Sequence, residues 1–268
     1  MPARLYHERI APSGAVPARW LAMTHGIYGA GSNWRSIARK LTERRREWGV
    51  VLVDLRQHGR SDPGEPPHTI AACADDLRAL LGELGEVHAL AGHSFGGKVA
   101  LATRQRVALV QTWVLDASPS PRPGAAADPG NTVMRVLELM ERAPRGWAGR
   151  DDFVAAVVRG GHDEGLARWL AMSLFPEPGG TLALRFDFTA LREMLADYYA
   201  TDLWAALEAP GGDIEVVVAE RSPALTAADR GRLAAAPPHV HVHPVDAGHW
   251  LHIEAPGAVV DLLAERLP

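Results

Sequence analysis

The chain has 268 residues, 47% of them apolar, and a formal net charge of -4. That length and composition suit one large globular domain, or a core domain carrying an insertion, and they exclude wholesale disorder. The charge balance leaves no basic footprint for nucleic acid, the single cysteine (Cys73) excludes an intrachain disulfide or a multi-cysteine metal site, and no apolar run approaches the ~18 residues of a membrane span.

Residues 1–8 hold no apolar signal core, so the chain reads as soluble and cytoplasmic. Residues 4–10 form a modest strand and residues 19–24 a second, which ends on His25-Gly26-Ile27-Tyr28-Gly29. Ser32 or Asn33 caps a helix running to about Arg46, with Trp34, Ile37, Ala38 and Leu41 on its inner face. Residues 50–54 are a continuous apolar run ending in Asp54, the mark of a parallel strand covered on both faces. A turn-rich stretch follows, in which Arg56 is expected to tie the loop to Asp54. Residues 70–84 then have helical spacing, with Cys73 as a small buried residue.

Next comes Val87-His88-Ala89-Leu90-Ala91, then Gly92-His93-Ser94-Phe95-Gly96, then helix-forming residues from Lys98 onward. Strand, Gly-x-Ser-x-Gly, helix is the context of a nucleophile elbow, which pushes a serine hydroxyl clear of the sheet at a helix N-terminus. Residues 109–116 are another buried strand. From Pro119 to about Thr201 only helical patterns are visible, near 133–142, 151–159, 164–174 and 188–199. A strand at 214–219, a helix at 227–235, a strand at 240–245 and a helix at 255–267 complete the chain. Strands alternating with helices imply a doubly wound, mostly parallel α/β sheet. The expected division is a core of residues 1–117 and 203–268, with residues 118–202 inserted as a helical cap.

A nucleophilic serine needs a base and an acid. His249, after Gly248 and beyond the last strand, alone among the twelve histidines has both the position and the chain order Ser, Asp, His. For the acid, the loop after residues 214–219 reads Glu220-Arg221-Ser222, with serine where an aspartate is usual. Asp116, at the end of the neighbouring strand, is the first choice and Glu220 the second, while Asp213 falls at the wrong edge. The amides of Phe95 and Ile27 are the expected oxyanion donors. Tyr28, His93, Trp250, Phe186 and Phe188 are the expected pocket walls, and His25 and His58 are expected to bind loop backbone.

The set His25-Gly26-Ile27-Tyr28-Gly29, Asp54-x-Arg56-x-His58-Gly59-x-Ser61, Gly92-His93-Ser94-Phe95-Gly96-Gly97-Lys98 and Gly248-His249-Trp250 resembles the α/β-hydrolase superfamily. Gly31-Ser32-Asn33, Gly96-Gly97-Lys98, Asp116-Ala117-Ser118-Pro119 and Gly248-His249-Trp250-Leu251-His252 resemble its small acyl-ester hydrolases of the YbfF type and their mitochondrial relatives. The resemblance implies hydrolysis of a small-molecule carboxylic ester or acyl thioester through an acyl-serine, by a monomer or homodimer, without a cofactor or metal. In that branch the acid can follow the strand that Asp116 ends. Carbon–carbon hydrolysis and perhydrolysis run on the same scaffold, whereas dehalogenation needs a carboxylate nucleophile.

Two other classes compete. Gly92-x-x-x-x-Gly97-Lys98 matches a phosphate-binding loop up to Val99, which stands where magnesium ligation needs Ser or Thr. The hydrolase fold also serves as a non-catalytic ligand receptor. Lys98 itself reads as a surface helix residue, or one packing its stem on the cap. His239, His241 and His243 share one strand face, but without an acidic partner they read as structural rather than as metal ligands.

Overall fold

The computed structural model describes residues 1–268. The main sheet is built from β1 (His7–Ile10), β2 (Arg19–Thr24), β3 (Trp48–Val53), β4 (Val87–His93), β5 (Gln111–Leu115), β8 (Asp213–Ala219) and β9 (Val240–Val245), with β6 (Leu174–Pro176) and β7 (Leu182–Leu184) forming a separate hairpin. The strands lie in the order β1-β3-β2-β4-β5-β8-β9, and all pairings are parallel except β1 with β3. This is the doubly wound α/β sheet that the alternation predicts, in the α/β-hydrolase form that the resemblance implies.

Burial follows the two-residue period of a pleated strand. On β3, Val50 and Leu52 pack on one face with Leu21, Met23, Ala89 and Ala91, whereas Val51 and Val53 face the opposite core with Ala22 and Leu90. The first face is covered by α1 (Arg35–Arg44) and α11 (Pro256–Arg266), the second by α2 (Ile70–Leu84) and α3 (Phe95–Arg104). Covering both faces is why the central strands are uninterrupted runs of Val, Leu and Ala.

Several boundaries differ from the sequence expectation. The first strand starts at His7, and the expected helix from residue 32 opens as a 3₁₀ turn, Gly31–Trp34, before α1. The segment between β5 and β8 holds α4 (Thr132–Arg142), α5 (Arg150–Arg159), α6 (Glu164–Ala171), β6 (Leu174–Pro176), β7 (Leu182–Leu184), α7 (Phe188–Ala200) and α8 (Trp204–Glu208). It is therefore not wholly helical. Leu174-Phe175-Pro176 pairs with Leu182-Ala183-Leu184 across a Pro178-Gly179-Gly180 turn, and Trp147 bridges to Leu182. Two further helices, α9 (Ala227–Ala234) and the single turn α10 (Leu251–Glu254), flank β9. No helix is long and apolar enough to cross a membrane.

Candidate active site

Ser94 joins β4 to α3 with φ 53° and ψ -116°, a conformation that side-chain-bearing residues rarely adopt. The turn is that tight because its glycines meet backbone. A Cβ on Gly92 would run into the Gly96 carbonyl, and one on Gly96 would lie 2.6 Å from the His25 carbonyl oxygen. The Ser94 amide donates to the Leu115 carbonyl at 3.0 Å, tying the elbow to the neighbouring strand end.

His249, on the loop after β9, places Nε2 3.0 Å from Ser94 Oγ and Nδ1 2.7 Å from Asp116 Oδ2. The carboxylate only accepts, so Nδ1 carries the proton and Nε2 is left to accept from the serine hydroxyl. Asp116 is fully buried at the end of β5, and its Oδ1 accepts from the Ala219 amide at 3.2 Å. Glu220, the alternative acid, is exposed beyond β8. A row of this kind can move the serine proton to the imidazole while the carboxylate steadies the cation formed.

Behind this row, His93 Nε2 donates to the His249 carbonyl at 2.7 Å. Burial pushes the His93 pKa well below its ordinary value, so the ring stays neutral beside His249. His93 is thus not a pocket wall; it props the His249 backbone from within the core.

The loop after β2 approaches Ser94 from the other side. Ile27, 5% exposed, has an amide that donates to no backbone carbonyl, and Phe95 is the first residue of α3, where helical amides lack partners. Two imidazoles set the course of this loop. His25 Nε2 accepts from the Leu55 amide at 3.0 Å while Nδ1 donates to the Gly26 carbonyl at 2.8 Å. His58 Nε2 accepts from the Tyr28 amide at 3.2 Å and Nδ1 donates to the Arg56 carbonyl at 2.8 Å. Both rings bind loop backbone, as the sequence suggests. Burial lowers their pKa values to about 4 for His25 and about 3 for His58.

Arg56 does not pair with Asp54. It pairs with Asp76 on α2, at 2.6 and 2.8 Å, both side chains being buried, whereas Asp54 accepts from the Gly31 and Arg60 amides at 2.7 and 2.9 Å. Each Asp54 oxygen thus holds a backbone amide, and the acid that meets the guanidinium comes from α2.

A cavity of about 400 Å³ opens above Ser94. Ile27, Tyr28, Phe95, His249 and Trp250 line it from the sheet side, and Val133, Val136, Leu166, Leu195 and Tyr198 from the segment between β5 and β8. Tyr28 also donates through its hydroxyl to the Val133 carbonyl at 3.0 Å. Phe186 is not a wall of this cavity. It packs against Tyr28 and His58, at 6.1 and 5.7 Å between ring centroids, and faces a separate hollow. Phe188 is half-buried at the start of α7, likewise outside the lining. Tyr198, for which the helical spacing of its segment leaves pocket wall and cap core both open, lines the cavity together with Leu195 of the same helix.

Of the two readings of Lys98, the surface one fails, and the side chain meets the segment between β5 and β8 through its ammonium. It is 1% exposed, and its Nζ donates to the carbonyls of Ser120, Tyr198 and Thr201 at 2.9, 2.8 and 2.6 Å. All three ammonium protons are spent on backbone, so none serves a phosphate as the near-match to a phosphate loop would need. The β9 histidines do have acidic neighbours on β8. His243 Nε2 lies 2.5 Å from Glu215, and His241 lies 3.8 Å from Asp213. No three His, Cys, Asp or Glu side chains gather into a metal-binding group.

Comparison with known proteins agrees with this architecture. Residues 21–262 match the model of the Alpha/beta hydrolase family. The chain belongs to the α/β-hydrolase family. Among its relatives, the sn-1-specific diacylglycerol lipase ABHD11 of Mus musculus is 28% identical over 275 residues, which cover 99% of this chain and 86% of that protein. Lipase LipV of Mycobacterium tuberculosis is 36% identical over 143 residues, covering 52% of this chain and 49% of LipV. A solved marine microorganism esterase superimposes with a TM-score of 0.82 at 22% identity, covering 99% of this hydrolase-family chain and all of its own.

Proposed function

We propose that the protein is a serine hydrolase of carboxylic esters, with acyl thioesters as a second substrate class. The observation that carries this is the unbroken row from Ser94 through His249 to Asp116 at the floor of a largely apolar cavity, beside the two amides of Ile27 and Phe95. The lipases and esterases among its relatives support ester chemistry.

In this mechanism Ser94 Oγ attacks the acyl carbon as its proton passes to His249 Nε2. The carbonyl oxygen becomes an oxyanion held by the Ile27 and Phe95 amides, and Asp116 stabilises the imidazolium. Collapse breaks the carbon–oxygen bond of the alcohol, which leaves with the proton from His249. Water then enters, gives a proton to His249, attacks the acyl-serine and releases the acid, and the proton returns to Ser94. No step requires a metal or cofactor. Residues 118–202 serve as the cap, with Val133, Val136, Leu166 and Leu195 supplying apolar walls for the acyl chain.

The test is turnover of p-nitrophenyl esters of graded acyl length, and of acyl-CoA thioesters, by the wild type and Ser94→Ala. The wild type is expected to hydrolyse a subset of the esters and Ser94→Ala none. Binding without turnover by the wild type would favour a ligand receptor on the same fold.

A further inference from the structure

Asp116 has φ 46°, in the left-handed region that a residue with a side chain occupies only where its surroundings fix it. Its amide donates to the Val217 carbonyl at 2.8 Å, and its carboxylate holds His249 Nδ1 and the Ala219 amide. These partners come from β8 and from the loop after β9. They anchor Asp116 itself and leave the direction in which the chain departs from it to other contacts. Ala117, the next residue, is buried against α3, where a Cβ on Gly97 would lie 2.5 Å from the Ala117 Cβ.

The departure is held by a carboxylate from far along the chain. Asp229, on α9, is 2% exposed. Its Oδ2 accepts from Ser118 Oγ at 3.0 Å, and its Oδ1 accepts from Ser120 Oγ. Each hydroxyl is used a second time. Ser118 Oγ accepts from the Ser120 amide at 3.0 Å, and Ser120 Oγ accepts from Trp204 Nε1 at 2.7 Å. Lys98 Nζ takes the Ser120 carbonyl at 2.9 Å. Burial alone would raise the Asp229 pKa, but hydrogen bonds from Ser120, Thr226 and Ser118 outweigh it and hold the group below the ordinary carboxylate range. Asp229 is therefore an acceptor only, and both hydroxyls point their protons at it.

Part of this serves α9 itself. Asp229 closes the first turn, where its Oδ2 accepts from the Thr226 amide at 2.8 Å and Thr226 Oγ1 accepts from the Asp229 amide at 3.1 Å. That cap needs nothing from Ser118 or Ser120. The two serine bonds are additional, and both run to the segment that leads out of Asp116.

We propose that Asp229 is a positioning residue for the reaction: by holding Ser118 and Ser120 it keeps the Asp116 carboxylate on His249 Nδ1. It touches neither substrate nor the reacting atoms. This rests on Ser94, His249 and Asp116 acting as the hydrolase reading assigns them.

Three variants separate this role from the stability of α9. Asp229→Ala removes cap and brace together, Ser118→Ala removes a brace hydroxyl and leaves the cap whole, and Thr226→Ala removes only the cap hydroxyl. On the best p-nitrophenyl ester at pH 7, kcat is expected to fall ~10²-fold in Asp229→Ala and ~10-fold in Ser118→Ala, with KM within about threefold. A shift of about 1 Å in a catalytic group costs that much. Thr226→Ala should lower the melting temperature and keep kcat within about twofold. On an Asp116→Asn background, Asp229→Ala should cost less than about threefold more, because it acts through Asp116.

A readout independent of turnover is the far-downfield proton NMR signal of the His249 Nδ1–H that Asp116 accepts. It should be present in the wild type and Thr226→Ala, and broadened or lost in Asp229→Ala and Ser118→Ala. Wild-type kcat in both Asp229→Ala and Ser118→Ala, an equal loss in Thr226→Ala, or full multiplication with Asp116→Asn would each overturn the proposal. If Asp229→Ala does not fold, Ser118→Ala against Thr226→Ala decides alone. Failure of a fluorophosphonate to label wild-type Ser94 would remove the nucleophile itself. Normal labelling with any of the overturning results would remove only the role of Asp229.

Discussion

Asp116→Asn changes one atom in the buried row and has a calculable consequence. Asp116 Oδ1 is already committed to the Ala219 amide at 3.2 Å, and Oδ2 to His249 Nδ1 at 2.7 Å. An asparagine that keeps its oxygen on Ala219 turns its NH₂ toward Nδ1, where two donors cannot face each other. The imidazole must then carry its proton on Nε2, the atom that has to accept from Ser94 Oγ. The wrong tautomer costs ~10⁴ in kcat, or about 5.5 kcal/mol at 1.36 kcal/mol per decade. KM should stay within about threefold, since the cavity walls are untouched. The assay is steady-state hydrolysis of the best p-nitrophenyl ester at pH 7, beside Glu220→Gln, which should keep full activity because Glu220 is exposed beyond β8. A loss under about tenfold for Asp116→Asn, or an equal loss for Glu220→Gln, would refute the assignment of the acid.

Other expectations follow from the same contacts. Gly92→Ala forces a Cβ against the Gly96 carbonyl, so the elbow must shift, at ~1–3 kcal/mol of stability and most of the activity; unchanged activity with an unchanged melting temperature would contradict it. Asp76→Asn leaves the Arg56 guanidinium buried without its charge partner and should destabilise by ~3–5 kcal/mol in urea unfolding, against little effect for Asp75→Asn on the exposed face of α2. His25 and His58 are held neutral in the fold with pKa values of about 4 and about 3, below the ordinary 6.5. The unfolded chain therefore binds more protons below pH 6.5, and stability is lost as pH falls from 6.5 toward 4, at up to ~1.4 kcal/mol per pH unit for each ring. Urea midpoints at pH 7, 6 and 5 read this directly, and a flat profile would count against two neutral rings.

The strands were legible because a parallel strand covered on both faces leaves an unbroken apolar run, as at residues 50–53 and 214–219. The order Ser94, Asp116, His249 was legible because topology brings the ends of β4, β5 and β9 to one edge, and the missing aspartate near Ser222 pointed to Asp116. What escaped were features whose partners lie far away in sequence. The β6–β7 strands have three residues each, too few to show a period, so only Pro178-Gly179-Gly180 signalled the turn. For Lys98 the sequence leaves a surface helix residue and one packing its stem on the cap both open, because nothing local reveals three carbonyls across a chain crossing. Arg56 looked closest to Asp54, yet Asp76 on α2 is the acid that meets it. His93 and Phe186 were placed at the pocket for their nearness to Ser94 and to the cap, whereas their rings turn away from the cavity into packing against other side chains.

The central claim is that Ser94 is an activated nucleophile. Its most direct test is intact-mass and peptide-mapping analysis after exposure of the wild type, His249→Ala and Ser94→Ala to a fluorophosphonate. One adduct is expected on the wild type, mapped to Ser94, with labelling slowed severely in His249→Ala and absent in Ser94→Ala. An unlabelled wild type, or an adduct that persists in Ser94→Ala, would contradict it.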